Sequence, residues 1–435
     1  MLIKKKLFNY NNLINILIAA IPLSLILGNL IVNINIILIC ILGVAIYKFN
    51  TFQINRKKYQ YLIYSFFLYL ILITLYQNLP NLNESTLYKE HIIKSVLFLR
   101  FLILFLVINK LIERNEFKIN FFIITCAFLS LLIGIDIIIQ SVFGKNIIGL
   151  SITNFRPSSF FGSENIAGGF LQKFSLFFIF FASAHIKKYN TNFIILFFFF
   201  LFFIIISLTA NKMPFLLFGA SIALFLLINK KIKQLLVMFI FFVFFSIGLI
   251  QYNLDETKNN SRIGRLSTDY GILYKSVKRF LDQALNKSSI EEGSKTNIVA
   301  HNYNLHFNTG IEIWKTNQIF GSGLKSFRIK CTYENNQTCN THPHNYLIEI
   351  LIDVGLFGFT LIYLIFIFSV VDYFKFYKTN SSLKLLSIPF FLIIFFEFFP
   401  IRSSGSFFTT NNAVVIFLML AILVGLPSLK NLKKN

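Results

Sequence analysis

Residues 191–209 read Thr191-Asn192-Phe193-Ile194-Ile195-Leu196-Phe197-Phe198-Phe199-Phe200-Leu201-Phe202-Phe203-Ile204-Ile205-Ile206-Ser207-Leu208-Thr209, with no charged side chain anywhere in the run. A helix of about 20 apolar residues crosses the hydrocarbon core of a bilayer. The same kind of run recurs along the chain, at roughly 13–30, 34–49, 59–77, 92–110, 120–140, 160–185, 212–229, 233–251, 345–371, 384–400 and 412–428. The pattern predicts an all-α integral membrane protein of about twelve transmembrane helices. Composition agrees: apolar residues make up 56% and charged residues 14% of 435, with 56 phenylalanines. A soluble domain carries about 25% charged residues, so this chain cannot hide its apolar surface in water.

The net charge of +23 does not indicate nucleic acid, because no basic patch interleaved with stacking aromatics lies outside the spans. Most of the excess belongs to loops that set topology. With Met1 on the cytoplasmic side, the inner loops and termini hold 21 Lys and Arg and the short outer loops five. That bias predicts both termini inside and one large outer insertion between helices nine and ten. The expected organisation is therefore 1–251 for helices one to nine, 252–343 for a periplasmic loop domain, and 344–435 for the last three helices. The basic start, Met1 to Lys6, has no small-residue cleavage site behind it and reads as the start of a retained first helix.

Three cations fall on the side where topology gives no reason for them: Arg156, Lys212 and Arg402. Cations beside the free N–H groups of helix N-termini make an anion site suited to phosphate; the alternative is that they simply snorkel to the interface. On the same side stands Thr341-His342-Pro343-His344-Asn345-Tyr346, where a long polar segment gives way to an apolar one. Glu349 and Asp353 follow at i, i+4 spacing on one helix face. Glu349 has three readings: it orients a histidine, holds an acceptor hydroxyl, or satisfies a neighbouring helix. Arg100 and Asp136 lie deeper, where an unpaired charge is costly. They are expected to pair with each other or with Glu397, or else to form the ion path of a transporter.

Of the cysteines, Cys40 and Cys126 sit in apolar spans and read as packing residues. Cys331 and Cys339 sit close together in the outer insertion, where an oxidising compartment permits a disulfide. Their spacing with the histidines fits no zinc pattern, and no metal is expected. Within the insertion, 273–285 reads as a surface helix, and 311–319 around Trp314 as another lying on the bilayer. Gly321-Ser322-Gly323-Leu324-Lys325-Ser326-Phe327-Arg328 is a tight turn with cations close by, and no nucleotide-binding P-loop occurs.

Trp314…Gly321-Ser322-Gly323…Phe327, followed by His342-Pro343-His344-Asn345-Tyr346-Leu347…Glu349…Gly355-Leu356-Phe357-Gly358, resembles the signature of the O-antigen ligase and O-antigen polymerase superfamily. The likeness covers roughly 150–410. It implies a GT-C-like fold and an inverting glycosyltransferase that moves a glycan from a polyprenyl-pyrophosphate donor to a hydroxyl of lipid A–core, polysaccharide or protein. The resemblance also implies work at the outer face of the bacterial inner membrane, without nucleotide or metal. On it, His344 is the general base, and Arg156, Lys212, Arg328 and Arg402 hold the pyrophosphate. His342, Asn345, Glu349 and His306 support them. Two positions depart from the family pattern: Lys212 stands where an arginine is usual, and so does Gly310, for which His301, His306 or Arg328 would substitute. A competing expectation from another class is a polysaccharide flippase or secondary transporter, in which Arg100 and Asp136 would be central and His344 dispensable.

Overall fold

The structure, a computed structural model, describes residues 10–83, 85–152, 156–186, 188–241, 296–331, 341–379, 383–400, 402 and 405–429. Among them every regular element is helical, apart from one isolated bridge between Lys145 and Ser151. Eight helices among the described residues are long and apolar enough to cross a membrane: Asn29–Phe52, Lys57–Asn81, Thr86–Glu113, Ile119–Phe143, Ala167–His185, Thr191–Leu208, Tyr346–Thr379 and Thr410–Ser428. The chain is a multi-pass membrane protein.

Four of the expected spans take other forms. The first is split into Tyr10–Ala19 and Ile21–Leu27. Pro22, which lacks an N–H, occupies the first turn of the second piece, where it is tolerated. Lys212–Ile228 and Ile232–Phe241 are shorter apolar helices, and 242–251 lies outside the described residues. Lys384–Glu397 has 14 residues and contains Pro389. The surface helix expected at 273–285 also lies outside the described residues.

The chain divides into two compact units, 1–125 with 304–435, and 126–303. In the first, the helix Thr410–Gly425 is buried from Ala413 to Gly425. Leu99–Glu113, Lys384–Glu397, Asn29–Tyr47 and Tyr346–Thr379 surround it, as befits a helix apolar on every face. Phe417 on it meets the rings of Phe67, Phe98, Phe101 and Phe407. Leu30, Ile41, Leu68 and Leu72 stay exposed, the surface such a bundle offers to lipid.

In the second unit, Ala167–His185, Thr191–Leu208 and Lys212–Ile228 pack against one another. Phenylalanines close the contacts, with Phe203–Phe215 centroids 4.2 Å and Phe180–Phe225 centroids 5.0 Å apart. Lipid tails are as apolar as these side chains, so close packing and dispersion rather than water exclusion hold them.

One helix is not continuous. Within Tyr346–Thr379, Gly355 adopts φ 62 and ψ −172, a region open essentially to glycine alone. The freed backbone groups are met by the Gly321–Ser326 turn and the residues before it. Ser322 and Gly323 donate to the carbonyls of Ile352 and Asp353, both at 2.8 Å, and Leu356 and Phe357 donate to Gln318 and Ile319 at 2.9 and 3.1 Å. Gly321 and Gly355 touch so closely that a Cβ on either would collide with the other's backbone nitrogen.

Candidate functional site

The broken helix begins at the histidine motif. Asn345 caps it: its Oδ1 accepts from Ile348 N at 3.1 Å, and its Nδ2 donates to Pro400 O at 3.0 Å. An Asn in this place satisfies an otherwise orphaned amide of the first turn. His344, just ahead of the cap, takes a left-handed backbone with φ 56, unusual for a residue with a Cβ. The result is a cluster of three imidazoles. The rings of His342 and His344 are 4.3 Å apart, and those of His306 and His344 5.4 Å apart. His306 comes from the helix Thr296–Thr316.

Two of these rings, His342 and His344, resist protonation. Burial, helped by the charges of His344, Lys325 and His306, pushes His342 down to about 4. Burial, then His306, lowers His344 as well. Thr341 Oγ1 meets His342 Nδ1 at 2.9 Å, while His342 Nε2 is buried without a hydrogen bond. A neutral imidazole has a lone pair free to accept a proton at neutral pH. Among the described residues no group of three or more His, Cys, Asp or Glu is arranged to hold a metal ion.

Gly310 stands one turn after His306 on the same helix. A Cβ there would lie 2.6 Å from Ile348 Cγ2 and 3.4 Å from Pro343. The helix therefore presses directly on the histidine turn, and an arginine at 310 has no room. The surface helix expected at 311–319 around Trp314 is instead the end of this helix. Ile313 is buried with Phe327, Ile348 and Ile352, Trp314 and Ile311 pack on them, and the indole donates to Gln318 O at 3.1 Å.

Both carboxylates of the i, i+4 pair hold loops. Glu349 accepts from Phe407 N at 2.6 Å and from Ser406 Oγ, so of its three readings the contact with a neighbouring element is the one seen. Asp353 accepts from Lys325 N at 2.7 Å, Ser326 N at 3.1 Å and Ser326 Oγ at 3.0 Å.

Other expectations are redrawn by the geometry. The buried ion pair is Arg402 with Glu397, 2.8 Å apart, with the guanidinium 4.6 Å over the Tyr346 ring. Arg402 is 5% exposed, so its charge is met inside the protein. Among the described residues Arg100 pairs with no acid: it donates to Leu97 O at 2.8 Å and Thr410 Oγ1 at 3.2 Å. Asp136 accepts from Ser159 Oγ at 2.6 Å and Ile147 N at 2.8 Å. Neutral groups thus bond both residues on which a transporter reading rests.

Arg328 is exposed on the short helix Phe327–Lys330. Arg156 and Lys212 belong to the second unit. Arg156 precedes a loop that Asp136, Gln140 and Asn146 pin at Ser159; Lys212 opens the helix Lys212–Ile228. Nothing is described of the His301 side chain. Cys331 is disulfide-bonded, and its expected partner Cys339 lies outside the described residues.

Sequence reading missed two residues that shape the site. Gly355, in the middle of an apolar run, was the available signal for a helix break. Lys325 was seen only as part of a turn, yet its left-handed backbone, φ 60, and its amide bond to Asp353 fix it beside the histidines.

Residues 196–363 match a family model described as O-antigen ligase. The matched stretch contains Lys212, His306, Gly310, Arg328, His342, His344, Asn345, Glu349 and Asp353, and leaves out Arg156 and Arg402. No curated protein matches the chain.

Proposed function

We propose that this chain, a membrane enzyme of the O-antigen ligase family, transfers a glycan from a polyprenyl-pyrophosphate donor to a hydroxyl acceptor, with inversion at the anomeric carbon. The acceptor oxygen bonds to the anomeric carbon, the bond to the pyrophosphate oxygen breaks, and its electron pair leaves with the pyrophosphate. The acceptor proton passes to a ring nitrogen of His344. The observation that carries this reading is the cluster of His306, His342 and His344 imidazoles, fixed at a capped helix start.

His344 suits the base role better than His342. A base works best when its pKa lies near the operating pH, and His342 is driven to about 4. His342 and His306 instead crowd and desolvate the base. Arg328, exposed on the neighbouring turn, is assigned to the departing pyrophosphate. The assignment of Arg156 and Lys212 to the same group rests on sequence alone, as do about twelve spans with both termini cytoplasmic and a periplasm-facing site. The disulfide at Cys331 supports the outward orientation, since such bonds persist in oxidising compartments. Ligase, polymerase and protein O-glycosyltransferase share this chemistry and differ in acceptor.

The test is His344→Ala and His344→Gln in cells lacking the native protein. Both variants are expected to accumulate in the membrane and to abolish glycan attachment; attachment at the normal rate refutes the assignment.

A further inference from the structure

The turn that docks on the broken helix carries several cations, of which only Arg328 has so far been given a task. Lys330 donates to Ser322 Oγ at 2.8 Å, and Lys94 pairs with Glu90 at 2.7 Å. Lys325 and Arg328, by contrast, make no side-chain hydrogen bond or ion pair among the described residues. Lys325 is not free to swing away. Its backbone is left-handed and its amide is bonded to Asp353, so the stem leaves the turn from a fixed point.

Four groups converge here: Lys94, Lys325 and Arg328 all lie close enough to His91 for their charges to act on it. His91 sits one turn before Lys94 on the helix Thr86–Leu97 and is 0% exposed. Among the described residues neither of its ring nitrogens has a hydrogen-bond partner. A buried imidazole with both nitrogens unmet is costly, and three cations gathered around it repel one another. Burial, then repulsion from Lys94, holds the Lys325 ammonium below the ordinary lysine range. An anion resolves both problems, because it neutralises the cations and accepts from the imidazole.

We propose that Lys325 and Arg328, with Lys94 and His91 behind them, form a binding site for a phosphate-type anion of the substrate, next to the histidine cluster. The position is apt for the transfer reaction, on which the substrate role of this site rests, because Lys325 also lies within charge range of His342. It supplies cationic charge that position 310, a glycine here, cannot. The anion has two sources, the diphosphate of the lipid donor or a phosphate on the acceptor.

The probe is inorganic pyrophosphate, titrated by phosphorus NMR into the full-length protein in detergent. Lys325→Gln and Arg328→Gln are each expected to weaken binding about tenfold or more. Lys325→Arg should retain it to within a few-fold, because the charge is kept. Lys325 meets Asp353 through its backbone, so the thermal midpoint of all three variants should match the parent. His344→Ala should bind pyrophosphate normally. In kinetics, pyrophosphate competing with the donor assigns the anion to the lipid diphosphate, and competition with the acceptor assigns it to a phosphorylated acceptor. Unchanged pyrophosphate affinity in both glutamine variants overturns the proposal. If transfer survives His344→Ala while Lys325→Gln still loses pyrophosphate, the base assignment falls and the anion site stands.

Discussion

Replacing Gly355 by alanine tests whether the helix break holds the site together. The dihedral strain of a residue with a Cβ at φ 62, ψ −172 is about 1–3 kcal/mol. The added Cβ would also lie 2.3 Å from Ile319 O and 2.5 Å from Gly321 N. Both are backbone atoms and cannot turn aside, so the docked turn must move. Four backbone hydrogen bonds join the turn to the break. Losing two of them costs about 1–3 kcal/mol at a net 0.5–1.5 kcal/mol each. The total, about 2–6 kcal/mol, is a large share of a typical folding free energy of about 5–15 kcal/mol. Gly28→Ala is the matched control, since Gly28 has φ 105, ψ 173 with nothing within 4 Å of a Cβ, and it carries the dihedral term alone. Thermal unfolding in detergent should show Gly355→Ala falling further than Gly28→Ala, by several degrees. Glycan transfer should be lost only at 355. Equal losses in the two variants, or normal transfer by Gly355→Ala, refute the argument.

The pH dependence follows from the histidines. A base must be deprotonated to act, and His344 titrates below the ordinary 6.5, so the acid limb of kcat/KM should have its midpoint below pH 6.5. For His342, between about pH 4 and 6.5 the unfolded chain binds more protons than the folded one, so stability falls as pH drops through that window; His342→Gln should flatten the corresponding slope of Tm against pH. Glu349→Ala strands the Ser406 hydroxyl and the Phe407 amide, at about 1–3 kcal/mol each. It should lower Tm, while Glu349→Gln should leave the acid limb where it was, because the carboxylate holds a loop and not the base. Arg402→Met leaves Glu397 as an uncompensated buried charge and should cost about 3–5 kcal/mol, whereas Arg402→Met with Glu397→Gln should recover most of the Tm and retain transfer. Persistent loss of transfer in the folded double variant would return Arg402 to the pyrophosphate.

The membrane class was legible from apolar run length alone, because a span needs no partner to declare itself. The exact span boundaries were not: Pro22 and the positive φ of Gly28 divide the first run, and Phe98 stands between two helices in another. His342, His344 and Asn345 were visible because polar groups at the mouth of an apolar helix stand out. The role of Glu349 was not, since its partners Ser406 and Phe407 lie almost sixty positions away, and periodicity carries no information about such pairings. Arg402 is another such case. A lone cation at a helix end looks available in sequence, and only the fold brings Glu397 under it. Lys325 was hidden for a similar reason, because a lysine in a Gly-Ser-Gly turn is unremarkable until Asp353 anchors its amide.

The clasp between Glu349 and the Ser406–Phe407 loop, with Asn345 gripping Pro400, orders events during biosynthesis. A ribosome delivers the histidines well before Pro400, Ser406 and Phe407. Until then the turn carrying His344 lacks its latch. A chain cut short of Pro400 would keep all three imidazoles yet lose the groups that Asn345 and Glu349 hold.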